Sequence, residues 1–287
     1  MNFYLSAVLL GLGFASLAMG IFISMRIFNI PDITTDGTFT LGGAITAVMI
    51  STGHSPWVSL IFVFFFGSVA GICTGLIHTK LKVNALLAGI LVMTALYSVN
   101  LAIMGRSNIP LINTASIFDA TNSMMSTVNS QLVILLFISI TLWLGISWLL
   151  KTDFGLAMRA TGNNEQMIRS LGVNPQTMKI LGIGLANGLI AVSGFLITQV
   201  QGFADINMGI GIVILGLGSV MIGEILLNLF KVRSITMHLA GVIGGSILFR
   251  LILAFALTIG IDALYLKLVV AVFVLIVISI PNLKRSR

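Results

Sequence analysis

The chain alternates long apolar runs with short polar breaks over almost its whole length. Individual runs reach about 18 to 25 residues, which is enough for a helix to cross a hydrocarbon core of roughly 30 Å. Because backbone groups in lipid must be hydrogen-bonded within their own segment, each run is expected to form a transmembrane α-helix. The pattern therefore predicts an all-α polytopic membrane protein with about nine transmembrane helices, within a range of roughly eight to ten.

The first run lacks the basic start and cleavage pattern of a signal peptide, so it is interpreted as a retained helix. In the third run, Gly67, Gly71 and Gly75 follow a four-residue spacing that predicts close contact with another helix. The predicted spans lie at about 3–25, 38–50, 57–77, 85–104, 132–150, 178–200, within 201–224, and at 237–257 and 263–280.

Composition leaves no stretch for a soluble catalytic domain. Hydrophobic residues make up 57% of the 287 residues, charged residues make up 8%, and mean hydropathy is +1.12, whereas a soluble domain carries about 25% charged residues. The net charge of +7 comes from Lys and Arg at the ends of apolar runs, which favours a role in topology over nucleic-acid binding. Cys73 is the only cysteine, so neither an intrachain disulfide nor a metal site is expected.

The longest charged break in the apolar pattern lies at residues 151–173. Helical spacing places Ala160, Met167, Ile168 and Leu171 near one face, and Gly172 supplies a helix stop. The segment therefore predicts a short amphipathic helix at about 158–172, lying at the membrane surface between the fifth and sixth spans. The alternative from composition alone is an ordinary long loop.

This segment resembles the coupling helix of permease subunits of binding-protein-dependent ABC importers, of the branched-chain amino-acid and ribose type. The matching pattern is R-A-x-G-x-N followed by a downstream Gly-Val pair, and Glu165 follows the Asn as in the sugar-permease branch. The resemblance implies that the helix docks on a separate ATPase, which uses ATP and Mg, while this chain binds no cofactor. The implied ATPase-coupling residues are Arg159, Gly162, Asn164, Glu165, Arg169 and Gly172.

A second polar break, at residues 28–44, contains two carboxylates and a proline. Charges in lipid cost about 2.5 kcal/mol or more each, so they are expected to face a cavity, the surface or a partner. The stretch resembles a broken helix that lines the pathway in the same family, although Gly37 stands one residue later than the sugar-permease pattern places it. The alternative is a simple cytoplasmic turn in which Asp36 caps the next helix.

The second half of the chain repeats this theme, because Asp205 and Ile206 precede a Gly-rich apolar helix much as Asp32 and Ile33 do. Weak similarity between residues 80–97 and 231–249 also predicts two related halves. The predicted pathway residues are Asp32, Thr34, Thr35, Asp36, Asn84, Asn100, Asp205 and Asn207.

If the N-terminus is outside and the C-terminus is cytoplasmic, the clusters of basic residues at the ends of the runs all lie on the cytoplasmic side, where Lys and Arg are normally in excess. Residues 105–130 then form an external Ser/Thr/Asn-rich loop, opposite the coupling helix, that offers a surface to an extracytoplasmic substrate-binding protein. We predict one transmembrane permease domain spanning residues 1–287 in a bacterial inner membrane. By the resemblance, a second permease copy completes a homodimer.

The predicted function is the non-catalytic permease subunit of an ATP-driven importer, since no G-x-x-x-x-G-K-[ST] loop occurs. The resemblance to a short branch associated with tryptophan- and tyrosine-like solutes implies an amino acid, with aromatic ones as candidates. Branched-chain amino acids, sugars and nucleosides are the alternative solutes. The alternative mechanism is an ion-coupled secondary transporter that uses Asp32, Asp36 or Asp205, and a membrane enzyme or scaffold is a third class.

Overall fold

A computed structural model describes residues 3–112, 114–119, 127–229, 232 and 234–285. The apolar runs form helices because their backbone donors and acceptors pair within each segment. We number the helices α1 (Phe3–Gly13), α2 (Ala15–Ile21, continued as a π-helix over Phe22–Ile27), α3 (Thr34–Ser51), α4 (Pro56–Thr79), α5 (Ala85–Met104), α6 (Thr127–Leu149), α7 (Asp153–Asn163), α8 (Glu165–Ser170), α9 (Pro175–Gln201), α10 (Ile212–Leu229), α11 (Ile235–Thr258) and α12 (Leu266–Arg285).

The predicted all-α polytopic membrane fold is confirmed. Within the described ranges, six helical stretches are long and apolar enough to cross a membrane, and the shorter apolar stretches Ile212–Asn228 and Leu266–Val277 join them. Helix α3 is not among these candidates, and the predicted number of about nine spans stays a prediction.

Helix α9 is the central element, and small residues let its neighbours approach at backbone distance. A side chain at Gly67 of α4 would collide with Ala191, and one at Gly71 would collide with Asn187. The first span crosses the opposite face of α9, where the Ser16 hydroxyl donates to the Leu189 carbonyl oxygen at 2.6 Å. The predicted contact surface of Gly67, Gly71 and Gly75 is therefore confirmed.

The first span runs over Phe3–Ile27, close to the predicted 3–25, with a turn at Phe14 and a π-helix at its end. The predicted start of the second span is wrong. The second span begins at Thr34 instead of Thr38, because the polar residues of its first turn are buried among other helices and have hydrogen-bond partners there. Polarity along the sequence cannot distinguish a solvated turn from such a buried helix start.

A two-stranded antiparallel pair, β1 (Asn108–Pro110) with β2 (Phe203–Asp205), fixes the start of the predicted external loop beside the last turn of α9. The segment 153–170 directly precedes the other end of α9, at Pro175. A helix of 27 residues rises roughly 40 Å at about 1.5 Å per residue, so the two segments lie at opposite ends of the molecule. Of the predicted loop 105–130, residues 113 and 120–126 are outside the described ranges.

Candidate coupling segment and polar sites

We use the name coupling segment for residues 153–172. The prediction of one continuous helix there is wrong, because the chain breaks at Asn164, where φ is −156° and ψ is 102°. The Asn164 side-chain oxygen accepts hydrogen bonds from the backbone nitrogens of Gln166 and Met167, each at 3.0 Å. Asparagine competes with helical hydrogen bonding in this way, so it ends α7 and caps α8.

The predicted helix stop at Gly172 is confirmed. Its φ is +82°, in the left-handed region that favours glycine, and its nitrogen donates to the Arg169 carbonyl oxygen at 3.0 Å. No heavy atom lies near the position of a Cβ on Gly172. The residue therefore shapes the backbone and leaves its surroundings open.

Helix α7 is attached to the end of the first span. A Cβ on Gly162 would overlap the Ile27 carbonyl oxygen, so glycine permits backbone contact between α7 and the π-helix. The Asn29 side-chain nitrogen donates to the Gly162 carbonyl oxygen at 3.2 Å, and Met158 is fully buried beneath the helix. Movement of α7 would therefore be passed directly to the first span.

Helix α8 is held at one side and exposed at the other. Ile168 is buried, and Glu165 forms an ion pair with Lys179 of α9. Met167 and Leu171, which the spacing places near the same face as Ile168, are 55% and 67% exposed. A helix of six residues has room to bury one side chain here, and α8 therefore presents apolar atoms to an external surface.

Two of the predicted coupling residues are arginines. Arg159 borders a polar cavity together with Arg26 and His238, next to the attachment of α7 to the first span. Arg169 is exposed and lies on α8 near Gly172. All six predicted coupling residues thus lie on the surface of the coupling segment or at its contacts with the first span and α9. Their role in coupling stays a prediction.

Asp32 lies inside the helix bundle with 3% exposure, which does not fit a simple solvated turn. Its carboxylate accepts hydrogen bonds from the Asn187 side-chain nitrogen at 2.6 Å and from the Thr34 backbone nitrogen at 2.9 Å. The Thr34 and Thr74 hydroxyls are hydrogen-bonded at 2.8 Å, and the Thr35 hydroxyl donates to the Asp32 carbonyl oxygen. These groups join α3, α4 and α9, and whether they also line a pathway stays a prediction.

Asp36 does not cap its own helix. Its carboxylate accepts hydrogen bonds from the backbone nitrogens of Gly211 at 2.9 Å and Val213 at 3.0 Å. These nitrogens belong to the first turn of α10, where backbone donors lack helical partners and a negative charge is favourable. Asp36 therefore joins the broken stretch of the first half to the corresponding helix of the second half.

Two of the three predicted pathway asparagines have structural hydrogen bonds. Asn84 caps α5 by accepting from the Leu86 nitrogen at 2.9 Å, and it is exposed. Asn100 is buried and donates to the Gly37 carbonyl oxygen of α3 at 3.1 Å.

Asp205 and Asn207 lie at the end of α9 and border a cavity that also contains Arg250 of α11. The sequence prediction paired neither of them with Arg250, although a lone arginine within an apolar run indicates a buried polar site. The partner of Asp32, Asn187, was likewise missed as a site residue, because nothing local distinguishes it from other polar residues in a span.

A sequence profile described as "Branched-chain amino acid transport system / permease component" matches residues 3–279. A Clostridioides difficile (strain R20291) protein named tyrosine transport system permease protein is 39% identical over 270 residues, which are 94% of this chain and 88% of that protein. An uncharacterized protein of Rickettsia prowazekii (strain Madrid E) is 35% identical and covers 100% of this chain and 99% of its own length. The autoinducer 2 import system permease protein LsrC of Salmonella choleraesuis is 27% identical over 77% of this chain and 64% of that protein. No solved structure matches the chain significantly.

Proposed function

The chain belongs to the permease family of branched-chain amino-acid transport systems, and from this premise we propose that it carries an amino acid, with aromatic amino acids preferred. It is a non-catalytic, multi-pass permease component of an ABC-type importer, a class that works with an ATPase and a substrate-binding partner. The proposal adds the solute, the bacterial inner membrane and a second copy of this chain as the other half of a homodimer.

The observation that carries the proposal of ATP-driven coupling is the exposed apolar surface of α8. Met167 and Leu171 face outward from a helix whose other side is anchored by Ile168. Buried apolar area stabilises association by roughly 25 cal/mol per Å², so these side chains are suited to a groove on the ATPase. Gly162 then transmits ATPase movement to the first span, while ATP and Mg stay on the partner.

The distribution of basic residues supports a cytoplasmic location for the coupling segment. Arg26 ends the first span near α7, and Lys80 and Lys82 follow α4, whose Gly75 packs on Ile180 near the start of α9. An excess of Lys and Arg marks cytoplasmic ends of spans. Residues 105–112 and 203–211 then lie outside, where a binding protein delivers solute. Lys231 and Arg233, two further basic residues between predicted spans, lie outside the described ranges.

The hydrogen bonds of Asp32 and Asp36 favour this mechanism over ion coupling. The carboxylate of Asp32 is bound by Asn187 and Thr34, and that of Asp36 is bound by the first turn of α10. A carboxylate that serves a transported cation needs to give up such partners in each cycle. Both groups are better suited to hold helices together than to bind a coupling ion.

The substrate proposal is tested by competition for uptake in bacteria that carry the complete transport system, compared with a strain from which this gene is deleted. We expect the complete strain to take up more tritiated L-tyrosine than the deletion strain. We expect unlabelled L-tryptophan or L-phenylalanine to suppress this difference in uptake. L-Leucine, D-ribose and adenosine are the matched competitors for the alternative solutes. Suppression by one of these three, without suppression by aromatic amino acids, would contradict the proposed solute class.

A further inference from the structure

A cavity of about 320 Å³ lies between the end of α9, the segment 202–211 and the middle of α11. This volume is at the lower end of the range of roughly 300–1,000 Å³ that is typical of small-molecule sites. Its wall includes Phe14, Phe39, Phe203, Asp205, Asn207 and Arg250. The cavity is therefore sized for a small solute and combines aromatic rings with two opposite charges.

Arg250 is the cationic group of this cavity. Its guanidinium carbon lies 4.0 Å from the centre of the Phe14 ring, and no hydrogen bond or ion pair joins it to any other described residue. An aromatic face offsets only part of the cost of a cation among transmembrane helices, since such contacts contribute about 0.5–2 kcal/mol. The planar guanidinium keeps donors free for a carboxylate, which it can bind through two parallel hydrogen bonds.

Asp205 is the anionic group, and Arg250 does not neutralise it. One carboxylate oxygen accepts from the Asn207 backbone nitrogen at 2.8 Å and the other accepts from the Asn108 side chain at 3.3 Å. These neutral donors orient the carboxylate, and no ion pair to it occurs among the described residues. Two unpaired charges of opposite sign on one cavity are complementary to a zwitterion.

The rest of the wall combines aromatic rings with the aliphatic side chains of Ile197, Met208 and Ile212. Phe14 and Phe39 stack with ring centroids 5.7 Å apart, and Phe203 on β2 is 39% exposed. Such rings favour an apolar or aromatic side chain, because offset-stacked and edge-to-face contacts add about 0.5–1.5 kcal/mol beyond burial. The cavity lies at the end of α9 away from the coupling segment, which is the side on which solute arrives in the proposed topology.

From this geometry we propose that the cavity is a binding site for a zwitterionic α-amino acid within the permease itself. Arg250 binds the carboxylate, Asp205 binds the ammonium group, and Phe39 and Phe203 contact the side chain. The inference rests on the proposed amino-acid transport and adds a site through which the solute passes after its delivery. Tyramine, which lacks the carboxylate, and desaminotyrosine, which lacks the ammonium group, each leave one charge unpaired and are expected to bind poorly.

The test is equilibrium binding of tritiated L-tyrosine to the purified complex of this chain with its ATPase, in the absence of the binding protein. We expect binding that L-phenylalanine displaces and that tyramine and desaminotyrosine do not. Arg250→Gln is expected to weaken binding at least about tenfold, because a charge-assisted pair is lost. Asp205→Asn is expected to act similarly, and Arg250→Lys, which keeps the charge, is expected to lose less.

Lys267→Gln is the control, because Lys267 is exposed near the start of α12 and does not border the cavity. Each variant is compared at a temperature below its own melting transition, so that loss of binding is separated from loss of folding. Unchanged affinity in Arg250→Gln, equal displacement by tyramine, or no binding to the wild-type complex would overturn the inference. Uptake of aromatic amino acids by the complete system would still support the proposed function in each of these cases.

Discussion

Replacing Met167 and Leu171 together with glutamate is expected to abolish ATP-driven uptake while leaving the folded permease intact. Both side chains are largely exposed, so the fold loses little burial. If they fill a groove on the ATPase, the variant loses about 1.5–3 kcal/mol per side chain and places carboxylates in an apolar contact. The expected loss in affinity for the ATPase is at least about a hundredfold, which corresponds to 2.7 kcal/mol.

This expectation is measured by the affinity of the purified permease for its ATPase and by ATP-dependent uptake in proteoliposomes. The matched control is Ile112→Glu, because Ile112 is 74% exposed but lies at the opposite end of α9. The control is expected to keep full ATPase affinity. Normal ATPase binding and uptake in the Met167/Leu171 double variant would show that α8 is not the docking surface.

Gly162→Ala is expected to have the second largest effect, because the new methyl group would overlap the Ile27 carbonyl oxygen. Backbone atoms cannot move aside as a flexible side chain can, so α7 has to shift away from the first span. The variant is expected to lower the free energy of unfolding by about 3 kcal/mol, at the upper end for overpacking. It should also weaken the coupling of ATP hydrolysis to uptake in whatever fraction remains folded.

Gly172→Ala provides the comparison within the same segment. It places alanine at φ +82° but meets no neighbouring atom, so its cost is limited to about 1–2 kcal/mol of backbone strain. Melting transitions of the two variants in detergent, together with ATPase rates with and without solute-loaded binding protein, separate packing from strain. If the Gly162→Ala variant is as stable and as well coupled as wild type, the close backbone contact between α7 and the first span is not required for folding or coupling.

The sequence predicts the membrane fold well because length and hydropathy alone decide which segments enter lipid. The glycine spacing of α4 and the helix stop at Gly172 were predictable for a similar reason, since each depends on local sterics. The break at Asn164 was not predicted. The surrounding residues are compatible with a continuous helix, and the break depends on hydrogen bonds of the Asn164 side chain that a linear pattern does not show.

The sequence allowed individual site residues to be identified but did not show which residues they contact. Buried carboxylates in spans are rare enough for Asp32 and Asp36 to stand out, yet their partners Asn187 and the α10 start lie more than a hundred residues away. Arg250 and Phe14 are likewise more than a hundred residues apart along the chain, so the composition of their shared cavity follows only from the fold. The spacing groups Met167 and Leu171 with Ile168 but does not show that Ile168 alone of the three is buried, because amphipathic spacing assumes an uninterrupted helix.

In the proposed mechanism, an ATPase moves this permease through the coupling segment. The most direct measurement is uptake of tritiated L-tyrosine into proteoliposomes that contain this chain, its ATPase and its binding protein, with ionophores present to collapse ion gradients. We predict accumulation against the solute gradient that requires ATP on the side of the coupling segment. Accumulation by this chain alone, driven by a proton or sodium gradient without the ATPase, would contradict this mechanism.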